Sequence, residues 1–181
     1  GTLNLVLRNR FEDEISGFIP DLKSEFIAEI KELKKDKKKL QGMLNHLSGL
    51  IAETQLAVSM RSKKRFHLTD YFDNVTDEEA VNLIDVKNRV ILQRADGRKM
   101  EIDLLAASTD NRLIAVEVKK NKAKTGPRII EDFLEKLDLL KTKHPGKIVL
   151  PMILSLGGFT GEAERFCTEK KIGMAEEIKL W

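Results

Sequence analysis

Residues 100–119 constrain the fold more than any other part of the chain. Two runs rich in aliphatic residues, 100–107 and 113–119, flank a short polar stretch, 108–112. Aliphatic and β-branched residues on both sides of a Ser/Thr/Asp/Asn break are typical of two antiparallel strands joined by a tight turn. The sequence therefore predicts a β-hairpin at this point.

The register of this hairpin decides which charged side chains meet. If Ala107 pairs with Leu113, antiparallel pairing places Asp103 opposite Glu117. Because side chains alternate faces along a strand, Asp103, Glu117 and Lys119 then share one face of the sheet. Directly opposed β-carbons are about 4.5–5.5 Å apart, so two carboxylates held there repel each other. Two such acids with an ammonium beside them predict a divalent-metal site.

A simpler interpretation of the same pattern is a solvated sheet face. Glu101, placed opposite Lys119 by the same register, would form an ordinary cross-strand ion pair, and the two acids would face water. Such surface pairs are common and contribute little to stability. Leu105 and Ala115 lie on this face too, which makes it less polar than that interpretation requires. The opposite face is predicted to be aliphatic, with Ile102, Leu104, Ile114, Val116 and Val118.

The charged residues resemble the PD-(D/E)XK nuclease superfamily, which includes restriction endonucleases and archaeal Holliday-junction resolvases. Its pattern is an Asp at the end of one strand and Glu-x-Lys on the next. This chain has Asp103 and then Glu117-Val118-Lys119, although the Pro of the motif is absent before Asp103. The resemblance extends over most of residues 50–181, as a leading helix with an acidic residue, the hairpin, a crossover helix, a further strand and a closing helix.

The resemblance implies a restriction-endonuclease-like α/β fold, with three layers around a mixed central sheet. It also implies metal-dependent hydrolysis of phosphodiester bonds, most simply in DNA. Asp103 and Glu117 would bind Mg²⁺ or Mn²⁺ together with the backbone carbonyl of Val118. Lys119 would position the attacking water or stabilise the transition state. Glu53 is the accessory acid by position, with a solvent-facing helix Glu as the alternative.

Two clusters of basic residues are predicted to contact a nucleic-acid backbone. The net charge of the 181 residues is only +3, so any such footprint must come from local clusters. One cluster follows the leading helix and the other follows Lys119. Phosphate contacts of this kind give affinity without sequence selection. The residues are Arg61, Lys63, Lys64, Arg65, Lys120, Lys122 and Lys124.

Residues 1–48 are predicted to form a helical arm that precedes the nuclease-like domain of residues 49–181. From about residue 19 to residue 62 the pattern indicates one long helix or two in series, with apolar residues at heptad spacing. We therefore expect a coiled coil or a helical hairpin that contacts a second copy of the chain and makes the protein a homodimer. The heptad residues are Leu33, Leu40, Leu44, Leu47 and Ile51, with Lys37 in the remaining core position.

The composition excludes several other classes of protein. The single Cys167 permits no internal disulfide and suits a reducing compartment, so the cytoplasm is the expected location. The three histidines are scattered and lack zinc-site spacing. The longest apolar stretch, residues 148–159, is too short to span a bilayer, and we expect no membrane association. The start at Gly1, without Met, suggests a fragment of a longer protein.

Two other functions remain open on the sequence. A nuclease fold used only to bind DNA or RNA would bind without metal and keep its function without Asp103. A scaffold whose role is the coiled coil would self-associate and have no affinity for nucleic acid. The joint presence of Asp103, Glu117 and Lys119 favours catalysis over both.

Overall fold

The computed structural model describes residues 2–178, with side chains for Ser24 and for residues 26–44, 47 and 50–178. The chain divides into two units, Gly1–Leu44 and Asn45–Trp181. Helix α1 (Thr2–Lys63) begins in the first unit and ends in the second. The predicted domain boundary after residue 48 and the coiled-coil pairing stay predictions. Although α1 has 62 residues, none of the helices within residues 2–178 is apolar over the length needed to cross a membrane.

The second unit is organised around one mixed β-sheet. Among its described residues the sheet has six strands, which lie side by side in chain order. Neighbours among the first four strands are antiparallel, whereas the fifth strand is parallel to the fourth and the sixth is parallel to the fifth. The strands are β1 (Arg65–Phe66), β2 (Val81–Gln93), β3 (Lys99–Ser108), β4 (Arg112–Lys119), β5 (Ile148–Ser155) and β6 (Gly173–Ala175), and the further helices are α2 (Pro127–Lys143) and α3 (Gly161–Glu169).

Helices cover both faces of the sheet. The last turns of α1 bury Ala52, Leu56 and Met60 against Val116 and Val118. Helices α2 and α3 bury the opposite face, because their apolar residues recur at helical spacing and form one stripe. The predicted three-layer α/β core with a mixed central sheet is therefore confirmed. The residues of that stripe are Ile130, Phe133, Leu137, Leu140, Ala163 and Cys167.

The hairpin of β3 and β4 forms in the predicted register and then opens. Ala107 lies opposite Leu113, and the pairing continues to Leu104 opposite Val116, where it ends. Beyond that pair β3 stays hydrogen-bonded to β2 as far as its first residue, whereas β4 stays bonded to β5 as far as Lys119. We call this divergence of β3 from β4, beyond the Leu104–Val116 pair, the fork.

The fork corrects two details of the predicted hairpin. Ile102 does not share the aliphatic face of Leu104 but packs in the core beneath α2. Glu101 does not lie opposite Lys119, since its carboxylate binds the guanidinium of Arg89 on β2 at 3.1 Å. Both differences arise because β3 follows β2 once it has left β4.

Candidate active site

Asp103 is the first residue of β3 inside the fork. Its Oδ2 accepts a hydrogen bond of 2.7 Å from the backbone N–H of Val118. The carboxylate therefore satisfies a strand amide that β3 can no longer reach with its backbone. The predicted register brings Asp103 next to the Glu117-Val118-Lys119 segment, and the divergence of the strands gives its side chain room between them.

Glu117 is buried, with a side chain only 4% exposed, and two ammonium groups bind it. Nζ of Lys119 lies 2.7 Å from Oε1 of Glu117. Nζ of Lys136, from α2, lies 2.8 Å from Oε1 and 2.7 Å from Oε2. These short, charge-assisted contacts are the stronger class of hydrogen bond. The interpretation of this face as solvated is therefore wrong for Glu117.

The backbone of Val118 adds a third oxygen to the fork. In a strand the N–H and C=O of one residue point towards the same neighbour. The carbonyl of Lys119 accepts from the N–H of Leu156 at 2.8 Å and so points away towards the β5 side. Since the Val118 N–H binds Asp103, the Val118 carbonyl also points into the fork.

These oxygens fit a hard divalent cation. Mg²⁺ takes oxygen ligands, commonly one or two carboxylates completed by water and substrate phosphates. Asp103, Glu117 and the Val118 carbonyl supply such a set. Within the described residues no group of three or more His, Cys, Asp or Glu side chains could hold a metal. An ion in the fork would consequently depend on the carbonyl, water and substrate as well as on the two acids.

Burial sets the protonation of Asp103. Desolvation, and next the negative charge of Glu117, raise its pKa, which reaches a net value of about 6. The Val118 N–H and the two ammonium groups act in the opposite direction. Burial lowers the pKa of Lys119, but the carboxylates of Glu117, Asp103 and Asp132 outweigh it and leave that pKa above its ordinary value. At neutral pH the fork therefore holds an ionised Asp103 beside a protonated Lys119.

Lys136 is a residue of the site that the sequence pattern did not predict. The buried residues Phe133, Leu137 and Leu140 define the face of α2 that packs on the sheet. Lys136 lies three residues after Phe133 and four before Leu140, so helical geometry places it on the flank of that face. A lysine beside an apolar stripe that covers Glu117 was therefore a usable signal, although it did not specify which acid the ammonium would bind.

Glu53 lies in a different layer of the fold. It is half-buried on α1, with one carboxylate oxygen enclosed, next to Ala52 and one turn from Leu56 and Ala57. That helix packs on the sheet face of Val116 and Val118, whereas Glu117 reaches Lys136 on the opposite face. The accessory role of Glu53 stays a prediction.

The basic cluster of residues 61–65 lies away from the fork. Arg65 pairs with Asn82 at the start of β2, whereas Ile102, beside Asp103, pairs with Val90. Eight residues of strand separate those two points, on the order of 25 Å. Arg61 donates to the carbonyl of Val86. The structure therefore does not bring this cluster together with the two acids, and its contact with nucleic acid stays a prediction.

The second basic cluster follows directly from the fork. Lys120, Lys122 and Lys124 belong to the loop that leaves β4 after Lys119. The end of this loop is fixed at Thr125, whose N–H donates to the Gly158 carbonyl at 2.8 Å. The buried hydroxyl of Thr125 also lies 2.8 Å from that of Ser155. The loop lysines are thereby held beside Lys119 by a defined backbone.

Comparison with known proteins finds similarity only at the level of solved structures. Neither a family model nor a curated protein matches the chain. AF1548, a crystallised protein of unknown function, is 23% identical at a TM-score of 0.42, over 50% of this chain and 47% of that one. A repair endonuclease from Pyrococcus abyssi is 14% identical at a TM-score of 0.37, over 51% of this chain and 39% of that one. EndoMS, in a complex with double-stranded DNA, is 15% identical at a TM-score of 0.36, over 53% and 38%.

The solved structures that resemble this chain thus include a repair endonuclease and a protein bound to double-stranded DNA. The matched part spans less than half of each of those proteins.

Proposed function

We propose that this chain is a metal-dependent nuclease of the PD-(D/E)XK type that hydrolyses phosphodiester bonds, most simply in DNA. The observation that carries the proposal is the fork itself. Asp103 and the Glu117-Val118-Lys119 segment meet where two strands diverge, and the opening lets the Asp103 carboxylate bind a strand amide that a continuous ladder would pair with a carbonyl. A hairpin that served only to build the core would have no need to open at its charged residues.

The residues divide the work of hydrolysis among them. Asp103, Glu117 and the Val118 carbonyl would hold Mg²⁺ or Mn²⁺, which, when bound, lowers the pKa of water and offsets charge on the phosphate. Lys119 keeps its proton beside Glu117. Its ammonium can therefore donate to a phosphate oxygen as negative charge develops in the transition state. Lys120, Lys122 and Lys124 would hold the sugar-phosphate backbone without selecting a sequence.

A nucleic-acid-binding module without catalysis is the second candidate, and one observation favours it. Two carboxylates and two ammonium groups meet at the fork, so their charges already balance without a metal. Such a site could serve as a fixed structural unit. This alternative predicts that the loop lysines matter for binding and that Lys119 has no special role.

The partners that we propose are DNA and a second copy of the chain. One active site of this kind cuts one strand, so a duplex cut through both strands calls for two sites, which a two-fold symmetric dimer provides. The apolar heptad residues of the first unit are the surface that would pair.

Nicking of a supercoiled plasmid with Mg²⁺ or Mn²⁺ tests the catalytic proposal. We expect Lys119→Ala to lower the cleavage rate by about 100-fold or more and to leave DNA binding nearly intact. Joint replacement of Lys120, Lys122 and Lys124 by Ala should do the reverse, with weaker binding and a salt dependence flatter by up to about three phosphate contacts.

Lys143→Ala, at the exposed end of α2, is the matched control and should resemble the parent in both assays. Unchanged cleavage in Lys119→Ala, or no cleavage by the parent of duplex, branched and single-stranded DNA, would contradict the nuclease. Equal effects of Lys119 and the loop lysines on binding alone would support the binding module.

A further inference from the structure

The ammonium of Lys136 binds the carboxylate of Glu117, which a metal ion would need as a ligand. Its Nζ lies within 2.8 Å of both carboxylate oxygens of Glu117. Oε1 accepts from Lys119 as well. The two oxygens of Glu117 thus already accept three contacts from two ammonium groups, which leaves little of the carboxylate for a further cation.

The charges at the fork sharpen this conflict. Asp103 and Glu117 carry two negative charges, Lys119 and Lys136 carry two positive ones, and Asp132 on α2 adds its charge to those acting on Lys119. A divalent ion bound to Glu117 would face two ammonium groups a few ångströms away, and like charges at that distance repel strongly where solvent is excluded. Metal binding in this geometry therefore requires that one ammonium leave Glu117.

Lys136 is the group suited to leave. It holds Glu117 from a different element, α2, whereas Lys119 is next but one to Glu117 on the same strand. The side chain of Lys136 is 17% exposed and that of Lys119 29%, so both have a route towards solvent, and the choice of Lys136 rests on its separate element. A lysine ammonium is a compact charge on a flexible four-carbon stem and can change its position without movement of the helix.

On the basis of the proposed function, we propose that a divalent metal binds at the fork by displacing the ammonium of Lys136 from Glu117. Lys136 is then a positioning residue. It holds the buried acid in place while the protein is free of metal, and it sets the metal concentration at which the site loads. The parent protein should accordingly bind Mg²⁺ and Mn²⁺ less tightly than its oxygen ligands alone would allow.

Equilibrium binding of Mn²⁺ to the full chain without nucleic acid tests this inference, with free Mn²⁺ measured from its paramagnetic resonance signal. Lys136→Met keeps the length of the side chain and removes the charge. We expect it to bind Mn²⁺ at least about tenfold more tightly, because it frees both oxygens of Glu117 and makes the fork more negative by one charge. Lys141→Met, an exposed position on the same helix, should match the parent.

Two further measurements keep the inference open to contradiction if Lys136→Met disturbs the fold. Lys136→Arg keeps a cation on Glu117 and should bind Mn²⁺ no more tightly than the parent. In the parent labelled with ¹⁵N-lysine, the Nζ resonance of Lys136, assigned by its loss in Lys136→Arg, should shift with Mg²⁺, and Asp103→Asn should abolish that shift.

The outcomes separate this inference from the nuclease proposal. Equal Mn²⁺ affinity of Lys136→Met and the parent, or a Lys136 resonance unmoved at saturating Mg²⁺, overturns the exchange even if cleavage depends on metal. Tighter Mn²⁺ binding by Lys136→Met in a protein that cleaves nothing supports the exchange and contradicts the nuclease. If no variant binds Mn²⁺ in the absence of nucleic acid, the exchange is overturned, whereas the nuclease proposal is decided by the plasmid-nicking assay.

Discussion

Keeping Asp103 ionised in the folded protein costs free energy. The hydrogen bond from Val118 offsets part of that cost, but burial and the neighbouring Glu117 leave the pKa at about 6, above the ordinary 3.8. An acid whose pKa is raised by folding destabilises the folded state when it is ionised. The destabilisation is complete above about pH 6 and disappears as the pH falls towards 4.

Asp103→Asn should therefore stabilise the metal-free protein at pH 8. The pKa difference sets an upper limit of about 3 kcal/mol on the gain in the free energy of unfolding. The amide oxygen of the Asn can still accept from the Val118 N–H. The gain should vanish near pH 4, where the parent carboxyl is neutral. Thermal or urea unfolding at both pH values measures this. Asp138→Asn, exposed on α2, should show no gain, and an Asp103→Asn gain that persisted at pH 4 would rule out ionisation as its cause.

The residues of the fork differ in how far the sequence could predict them. Asp103, Glu117 and Lys119 lie within one hairpin, where the turn residues and the alternation of side chains determine which of them meet. Lys136 lies on a helix, 19 residues after Glu117 in the chain, and its contact depends on how α2 crosses the sheet. Local periodicity gives the face of a helix but not the partner of one lysine on its flank.

Among the elements, the loop after β4 packs closely on the turn after β5. A β-carbon at Gly157 would overlap the backbone carbonyl oxygens of Asn121 and Ala123. Thr160 caps α3 by accepting from the N–H of Ala163 at 3.2 Å. Gly157 thus permits a close backbone approach, and Gly158 permits a turn. The close approach fixes the position of the loop that carries the lysines after β4.

Gly157→Ala should therefore act on the lysine loop. Since the obstacle is backbone, the methyl group can be accommodated only by displacing the loop, and we expect a loss of roughly 1–3 kcal/mol in the free energy of unfolding. DNA affinity should fall with it. Unfolding curves and fluorescence anisotropy measure the two effects. Gly161→Ala, where a β-carbon meets nothing within 4 Å, is the control, and equal effects of both variants would contradict the packing argument.

The fork itself was beyond prediction at this scale. The alternation of side chains in β3 continues past Leu104 without a break, so the sequence extends the β3–β4 ladder to the end of both strands. The β3–β4 ladder ends because neighbouring strands compete for the same pair. Strand β3 stays hydrogen-bonded to β2, and β4 stays hydrogen-bonded to β5. That competition involves four strands and leaves no local pattern in any one of them.

At the scale of the whole molecule, the first unit presents an apolar stripe. The stripe contains Leu33, Leu40 and Leu44, at the heptad spacing that the sequence predicts, and Phe26 and Ile30 precede them. Each of these side chains is 49–61% exposed. Exposed apolar surface of this extent is typical of a contact with another protein.

We expect the parent to scatter light as a dimer, at twice the 20.6 kDa of one chain. Leu40→Lys places a charge in the middle of the stripe and should shift the mass towards that of one chain. Glu32→Lys, on the outer face of the same helix by heptad position, should remain dimeric. A parent of single-chain mass at every concentration tested would end the dimer proposal.

The hydrogen bond between Asp103 and Val118 makes one backbone amide of the sheet sensitive to the ionisation of the site. Most amide protons in a strand face a carbonyl whose charge never changes, but this one faces a carboxylate that gains a proton near pH 6. Its magnetic environment must therefore follow the ionisation of the site, and the arrival of any cation that competes for the same oxygen. The amide resonance of Val118 thus reports on the site without an attached label, whereas the neighbouring amides of the ladder face carbonyls of constant charge.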